Sequence, residues 1–362
     1  MELATLFPVS GAWLIGLLLL ILIGLMSWRA FGFFVPFAMA APDSYRADIP
    51  AEINNFYDQV LLRKALQINI HAQFAQLKNI PANSGTNVIK FRRYGLLAAA
   101  TTALTEGVTP TGKSLTVTDL TATALQYGDF TRISDVVAIQ SIDPILTEAT
   151  GVLGIQMGDT NDTLTRDIIV AGTTVQYAST AVSRVTVAAT MTLIEAEVKE
   201  AVLTLKTNKA TKLFGISGVS PGVGTVPIPA TFWGLCHTDI GDFLKGTSGF
   251  QKVETYSTNI ATLPGEVGRL DEVRFVESTN AKIFTGAGAG GIDVYGTLIV
   301  ASDAYGVIDL AASQGAGVIF KGLGSSGTSD PLNQRQTLGW KEFYVAKILN
   351  DNFMVRVEHA KV

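Results

Sequence analysis

Three stretches of this 362-residue sequence place residue types at spacings that could do chemistry. Gly107, Gly112, Lys113 and Ser114 in GVTPTGKS fit the phosphate-loop pattern G-x-x-x-x-G-K-[ST] letter for letter. In a nucleotide site a hydrophobic strand leads in, and the Lys-Ser pair opens a helix whose amides cradle the phosphates. Here the lead-in AAATTALTE is no buried strand, the continuation SLTVTDLTATALQY is β-like, and no acidic residue ends a four-residue apolar strand to help hold magnesium. The stretch reads as a loop tip, and a nucleotide hydrolase is the rival it leaves. Gly286, Gly288 and Gly291 in GAGAGG satisfy a dinucleotide fingerprint, but IDVYGTLIVA follows as a strand where a helix is required. Cys236 and His237 are adjacent, so in a strand they point to opposite faces and make a poor nucleophile and base. His71, His237 and His359 lie far apart in sequence and the single cysteine has no partner, so no metal site is expected. The reading is of a chain without catalytic residues or cofactor.

Composition narrows the classes further. A net charge of -4 with 16% charged residues gives no basic footprint, which argues against a dedicated nucleic-acid reader while leaving passive contact open. One cysteine excludes an internal disulfide framework and fits a reducing compartment. The length exceeds what one core usually serves, so two lobes or more are expected.

The elements are organised around one long helix, Asp143 to Gly172. Asp143 suits the N-cap, Pro144 the first helical position, and Gly172 a left-handed stop. Ile145, Ala149, Val152, Gln156, Thr160, Leu164 and Ile168 recur at steps of three or four, which predicts a mostly apolar stripe along about 40 Å of rod. Gly151, Gly154 and Gly158 each cost a helix about 1 kcal/mol relative to alanine, so close backbone approach by another element is expected there. A second helix is predicted over Thr190 to Leu205, capped by Thr190, with Ile194, Val198, Ala201, Val202 and Leu205 on one face beside the long helix.

Upstream, Ile53 to Leu77 shows helical spacing, and Asn87 to Tyr94 with Leu115 to Ile133 forms a wide-mouthed two-stranded ribbon with a bulge near Asp119. Such a ribbon has little core of its own and needs a surface from elsewhere, most simply a neighbouring copy. From Thr211 to Ala316 short strands and glycine-rich turns read as a separate α+β lobe, and TLGWKEFYVAKIL with FMVRVEH reads as a closing antiparallel hairpin turned at Asn350 to Asn352. At the other end, Trp13 to Met26 is apolar enough to approach a membrane span, and Arg29 follows it. Because the chain turns polar from Met39, residues 1–38 are expected to be either an extension outside the working protein or an anchor. The anchor reading keeps a membrane-bound surface or assembly protein as a second rival.

IKFRRYGLLAAATTALTEGVTPTGKSL, DPILTEATGVLG, DTLTRDIIVAGT, LPGEVGRLDEVRFVES and DPLNQRQTLGWKEFYVAKILNDNFMVRVEHA together resemble the major capsid proteins of tailed bacteriophages, in the branch of the N-four type podoviruses. The resemblance runs from about Ile49 to the C-terminus and implies a Hong Kong 97-like α+β fold. It implies an N-terminal arm at 39–83, an extended loop at 84–133 and a peripheral domain at 134–210. An axial domain at 211–320 and return strands of the peripheral domain at 321–362 complete it. The implied product is an icosahedral shell around double-stranded DNA, built in the host cytoplasm from pentamers and hexamers of this chain. Scaffold, portal and decoration proteins are the further partners, and packaged DNA is touched without specificity. On that expectation Lys90, Arg92 and Arg93 are the candidates for charged contacts to adjacent subunits, with Glu106 as acceptor.

Overall fold

The computed structural model describes residues 58–65, 69–79, 87–95, 97–140, 144–213, 230–256, 262–308, 317–325 and 327–361, all within the unit Ala51–Val362. Residues 1–38, Asp143, and the glycine-rich stretch 214–229 lie outside them.

In chain order, a helical segment at 58–65 (α1) is followed by Gln76–Lys78 (β1), Val88–Tyr94 (β2), Val117–Thr123 (β3) and Leu125–Ser134 (β4). Then come Asp135–Gln140 (α2), the 26-residue helix Ile145–Val170 (α3), Val175–Tyr177 (β5) and Glu195–Thr207 (α4). Phe232–His237 (β6), Thr238–Leu244 (α5), Gln251–Lys252 (β7), Glu266–Leu270 (β8), Val273–Ser278 (β9) and Ile283–Phe284 (β10) continue the chain. It ends with Val294–Val300 (β11), Tyr305–Ile308 (β12), Gly317–Lys321 (β13), Arg335–Tyr344 (β14), Ala346–Ile348 (β15) and Met354–His359 (β16).

The largest sheet has eight strands, ordered β5-β16-β11-β6-β9-β8-β7, with β10 also on β11. Its alternation sorts the core into two layers. Trp233, Leu235, Leu298, Val300 and Met354 join Leu153, Met157 and Ile169 of α3 in one cluster. Phe232, Cys236, Ile299, Val355 and Val357 join Val198, Ala201, Val202 and Leu205 of α4 in the other. Two expectations change here. The helix α4 packs on β16, on the face of the sheet away from α3, and starts at Glu195 after Ile194, so Thr190 does not cap it. The two end strands form no hairpin: β14 pairs with β4 over ten residues, from Arg335 with Ser134 to Tyr344 with Leu125, while β16 pairs with β11 and β5. The short helical turn at Asp351–Phe353 sends the last strand to a different sheet. The stretch expected as a separate lobe therefore shares its sheet with the last strand of the chain.

Burial on α3 also departs from the expected stripe. Its buried residues are Thr150, Leu153, Gly154, Met157, Gly158, Asn161, Asp162, Thr165, Ile169 and Val170, while Val152 is 65% exposed and Ile155 46%. The inner face is small and polar because what it meets is backbone and hydrogen-bonding side chains. A Cβ on Gly154 would stand 2.7 Å from the Leu61 carbonyl oxygen, and one on Gly158 would stand 2.5 Å from that of Ala65, so α1 lies directly on these two glycines. Gly151 faces open space, and close packing there is not found among the described residues.

The end of α3 is likewise built differently. Ala171 closes it in right-handed conformation. Gly172 is small for a steric reason, since a Cβ would come within 2.5 Å of the Met354 methyl and 2.7 Å of Asp351. The last carbonyls, those of Val170 and Gly172, accept from the Arg356 guanidinium, which also pairs with Glu358 at 2.8 Å. A cation at the helix C-terminus complements the dipole as well as the free acceptors.

Candidate inter-subunit surface

The ribbon of β2 and β3 is in continuous antiparallel register from Val88 opposite Thr123 to Tyr94 opposite Val117. No bulge occurs at Asp119. The phase slip read there belongs at Ala124, where the chain leaves β2 to pair with β14 and the Ala124 amide donates to the Asn87 carbonyl.

Ile89, Phe91 and Ala122 at the ribbon's base are buried against Ile308 and Leu349. Phe91 lies on Gly306, whose added Cβ would meet the ring at 2.5 Å. The base is thus supported by its own chain, contrary to the expectation of a ribbon without a core. Beyond it support ends: Leu97, Leu104, Val108 and Leu115 in the connecting segment are 53–78% exposed.

Each expected contact residue can now be placed. Lys90 and Arg92 point outward from β2. Arg92 Nε donates to Asp119 Oδ1 at 2.9 Å across the ribbon, and the hydrogen bond from Arg92 holds Asp119 below the usual carboxylate range. Arg93 reaches back and donates to the Leu349 carbonyl at 3.2 Å. The Lys90 carbonyl accepts from Lys78, whose ammonium sits 5.4 Å from the Phe91 ring centre. Glu106 is exposed in the turn completed by Gly107 at φ +78°, far along the loop from all three, and makes no ion pair among the described residues. The structure therefore joins Arg92 to Asp119, at the position where the sequence pattern suggests a bulge. A single carboxylate on β3 opposite the basic residues of β2 was the signal that could have found it.

The other chemistry-bearing stretches are also placed. Ser114 is followed by irregular chain and then β3, so the phosphate-loop pattern opens no helix, and Lys113 donates to the Ala98 carbonyl at 3.5 Å. The glycines at 286–291 form the turn between β10 and β11, with Gly286, Gly290 and Gly291 at positive φ. Cys236 is fully buried in β6 and burial pushes its thiol up to about 12, whereas the His237 ring accepts from the Asp239 amide on the other side. His359 is enclosed with Thr297 at 2.8 Å, and burial pulls it down to about 4. No group of three or more His, Cys, Asp or Glu suited to a metal occurs among the described residues. Among the same residues no helix is long and apolar enough to cross a membrane, and the Trp13 to Met26 stretch lies outside them.

An exposed apolar loop beside an ion-paired ribbon offers apolar surface that a partner can cover. Burying one large apolar side chain against a neighbour is worth about 1.5–3 kcal/mol, so a few such contacts suffice to favour association. Val152 and Ile155 on α3 and Phe130 on β4 add apolar surface of the same kind.

No family model matches the sequence, and no curated protein does either. Solved structures do match. The capsid of Ralstonia phage GP4 aligns with a TM-score of 0.62 at 12% identity, over 80% of this chain and 87% of that one. The capsid structure of the cyanophage P-SCSP1u gives 0.56 at 12% over 81% and 89%. The head structure of Helicobacter pylori bacteriophage KHP40 gives 0.56 at 13% over 81% and 88%. With four-fifths of its length superposing on three phage shells, this chain carries the mixed α+β fold of phage capsid structures.

Proposed function

We propose that the chain is a major capsid protein, which assembles in copies into the icosahedral head enclosing the double-stranded DNA of a tailed phage. The observation that carries this reading is the near full-length likeness to phage capsid structures from both sides of each alignment. The loop at 97–116, exposed along its length and covered by none of the described residues, supports it.

In this reading the fold is Hong Kong 97-like and the relatives are the N-four type podoviruses. The ribbon β2-β3 and its loop are the extended loop, α3 with β4 and β14 is the peripheral domain, and the eight-stranded sheet with α4 is the axial domain. The boundary at residue 321 is then crossed, because β16 returns to the axial sheet. Arg92, with Lys90 beside it, presents charge to the adjacent subunit, and Glu106 at the loop tip is free to accept from one. The subunits form pentamers and hexamers in the host cytoplasm, joined by scaffold, portal and decoration proteins, and the inner face meets DNA without reading it.

Expression of the full chain and of residues 39–362, followed by sedimentation and negative-stain microscopy, tests this. Closed shells or capsomer rings are the expected product. A monodisperse monomer under all salt, pH and crowding conditions, with the 97–116 loop resistant to protease, overturns it.

A further inference from the structure

A row of polar side chains runs between α3 and β14, exposed at Gln156 and buried beyond it. The inward residues of β14 are Gln336, Leu338, Trp340, Glu342 and Tyr344. Trp340 Nε1 donates to Gln156 Oε1 at 3.1 Å, and the Tyr344 hydroxyl lies 2.5 Å from Thr165 Oγ1. Between these two pairs, Glu342 faces Asn161, and both are completely buried.

Neither Glu342 oxygen, and neither terminal atom of the Asn161 amide, has a hydrogen-bond partner among the described residues. Four buried unpartnered atoms on two facing groups are costly, at about 1–3 kcal/mol each, unless they satisfy one another. A carboxylate cannot do this: it has no hydrogen to give, so Asn161 Oδ1 would face a negative oxygen. A neutral carboxylic acid can. Its hydroxyl donates to Asn161 Oδ1 while Asn161 Nδ2 donates to its carbonyl oxygen, and all four atoms are paired.

We propose that Glu342 is a proton-operated latch between α3 and β14: neutral, it forms a paired ring with Asn161 that fastens the long helix to the sheet, and ionised, it loosens that contact.

Apart from the facing Asn161 amide, little around Glu342 favours the charged form. From α3 the nearby groups are Asn161, Asp162 and Thr165, from the segment before β1 they are Asn69 and His71, and from β14 and β12 they are the Tyr344 and Tyr305 hydroxyls. The one imidazole is engaged, with His71 Nδ1 2.9 Å from Asp162 Oδ1, and Tyr305 donates to the His71 carbonyl. No lysine or arginine forms an ion pair with Glu342 among the described residues. Burial accordingly raises Glu342 from 4.5 to about 7, and the facing Asn161 side chain offsets that rise only in part.

A folded-state value above the unfolded one means that the folded state holds the proton longer. The stabilisation is complete below about 4.5, declines between about 4.5 and 7, and is gone above that window. From well below 4.5 to well above 7 the folding constant of the wild type falls about 300-fold more than that of a variant lacking the group. Glu342→Gln keeps the shape and both amide pairings, cannot ionise, and leaves His71 and Asp162 in place, so any pH response arising from that pair persists in it.

The experiment is urea unfolding of the unassembled full chain and of E342Q at intervals from pH 4.5 to 8, with hydrogen exchange on α3 amides at each pH. The wild-type folding constant is expected to fall by about two orders of magnitude relative to E342Q, with α3 amides losing protection only in the wild type. A ratio constant across pH overturns the latch. Infrared difference spectroscopy on the wild type alone gives a second test: a protonated carboxyl band that persists above pH 6 supports the latch, and its absence refutes it whether or not E342Q folds. The inference concerns packing within one chain and stands independently of the assembly reading.

Discussion

Gly151 and Gly158 lie two turns apart on α3, and replacing each by alanine isolates one energy. The helix-propensity gain, at most about 1 kcal/mol, is common to both substitutions and cancels in their difference. At Gly151 the new methyl meets nothing within 4 Å, so G151A keeps the whole gain. At Gly158 it would stand 2.5 Å from the Ala65 carbonyl oxygen and 2.9 Å from the Ala65 Cα, where ordinary contact begins near 3.4 Å. Both atoms belong to backbone, so α1 has to retreat by about 0.5–1 Å, and overpacking of this kind costs about 1–3 kcal/mol. The two variants are therefore expected to differ by about 1–3 kcal/mol, G151A the more stable. Urea unfolding followed by far-ultraviolet circular dichroism reads the difference from the midpoints at unchanged slope. If the two midpoints agree within about 0.5 kcal/mol, α1 does not rest on α3 through its glycines, and the account of why the inner face is small fails.

Three further outcomes are expected. Charge reversal at Arg92 is expected to lower capsomer or shell yield with little change in the unfolding midpoint of the unassembled chain, and the swap R92D with D119R to restore the ribbon but not the yield; unchanged yield in R92E removes Arg92 from the interface. R356M strips the C-terminal carbonyls of α3 of their cation and leaves the buried Glu358 with Arg184 alone at 2.7 Å, a loss of about 3 kcal/mol, and a midpoint within error of wild type contradicts that role. The Cys236 thiol, fully buried and pushed up to about 12, is expected to ignore a thiol reagent at pH 8 until the chain is unfolded, and stoichiometric labelling of native protein counts against its placement in β6.

Local signals carried the element types well and their partners poorly. The long helix was legible from periodicity and length, since 26 residues at helical spacing have few other solutions. Its buried face was not, because apolar spacing was taken as the guide and the real inner face is Gly154, Gly158, Asn161, Asp162 and Thr165, which look like surface residues until their partners are known. Lys90 and Arg92 were correctly read as outward from their alternation with Ile89 and Phe91. The Asp119 partner was missed because register between strands about 27 residues apart in sequence is a tertiary fact. The destination of β16 was hidden for the same reason. Alternation in FMVRVEH announces a strand, while the choice between β14 beside it and the distant β11 depends on the core that each would complete.

That choice has a kinetic result for the growing polypeptide. Strand β16 occupies an interior place between β5 and β11, so the ladder on either side of residues 354–359 has no neighbour until ribosomal synthesis reaches them. Between the end of β11 at Val300 and the end of β16 at His359 the ribosome adds about 60 residues, so at about 5–20 residues per second the place beside β11 stands empty for about 3–12 s. Until then β11 presents an unpaired edge, the kind of surface on which incomplete chains associate, so this topology carries a short interval of exposure during synthesis.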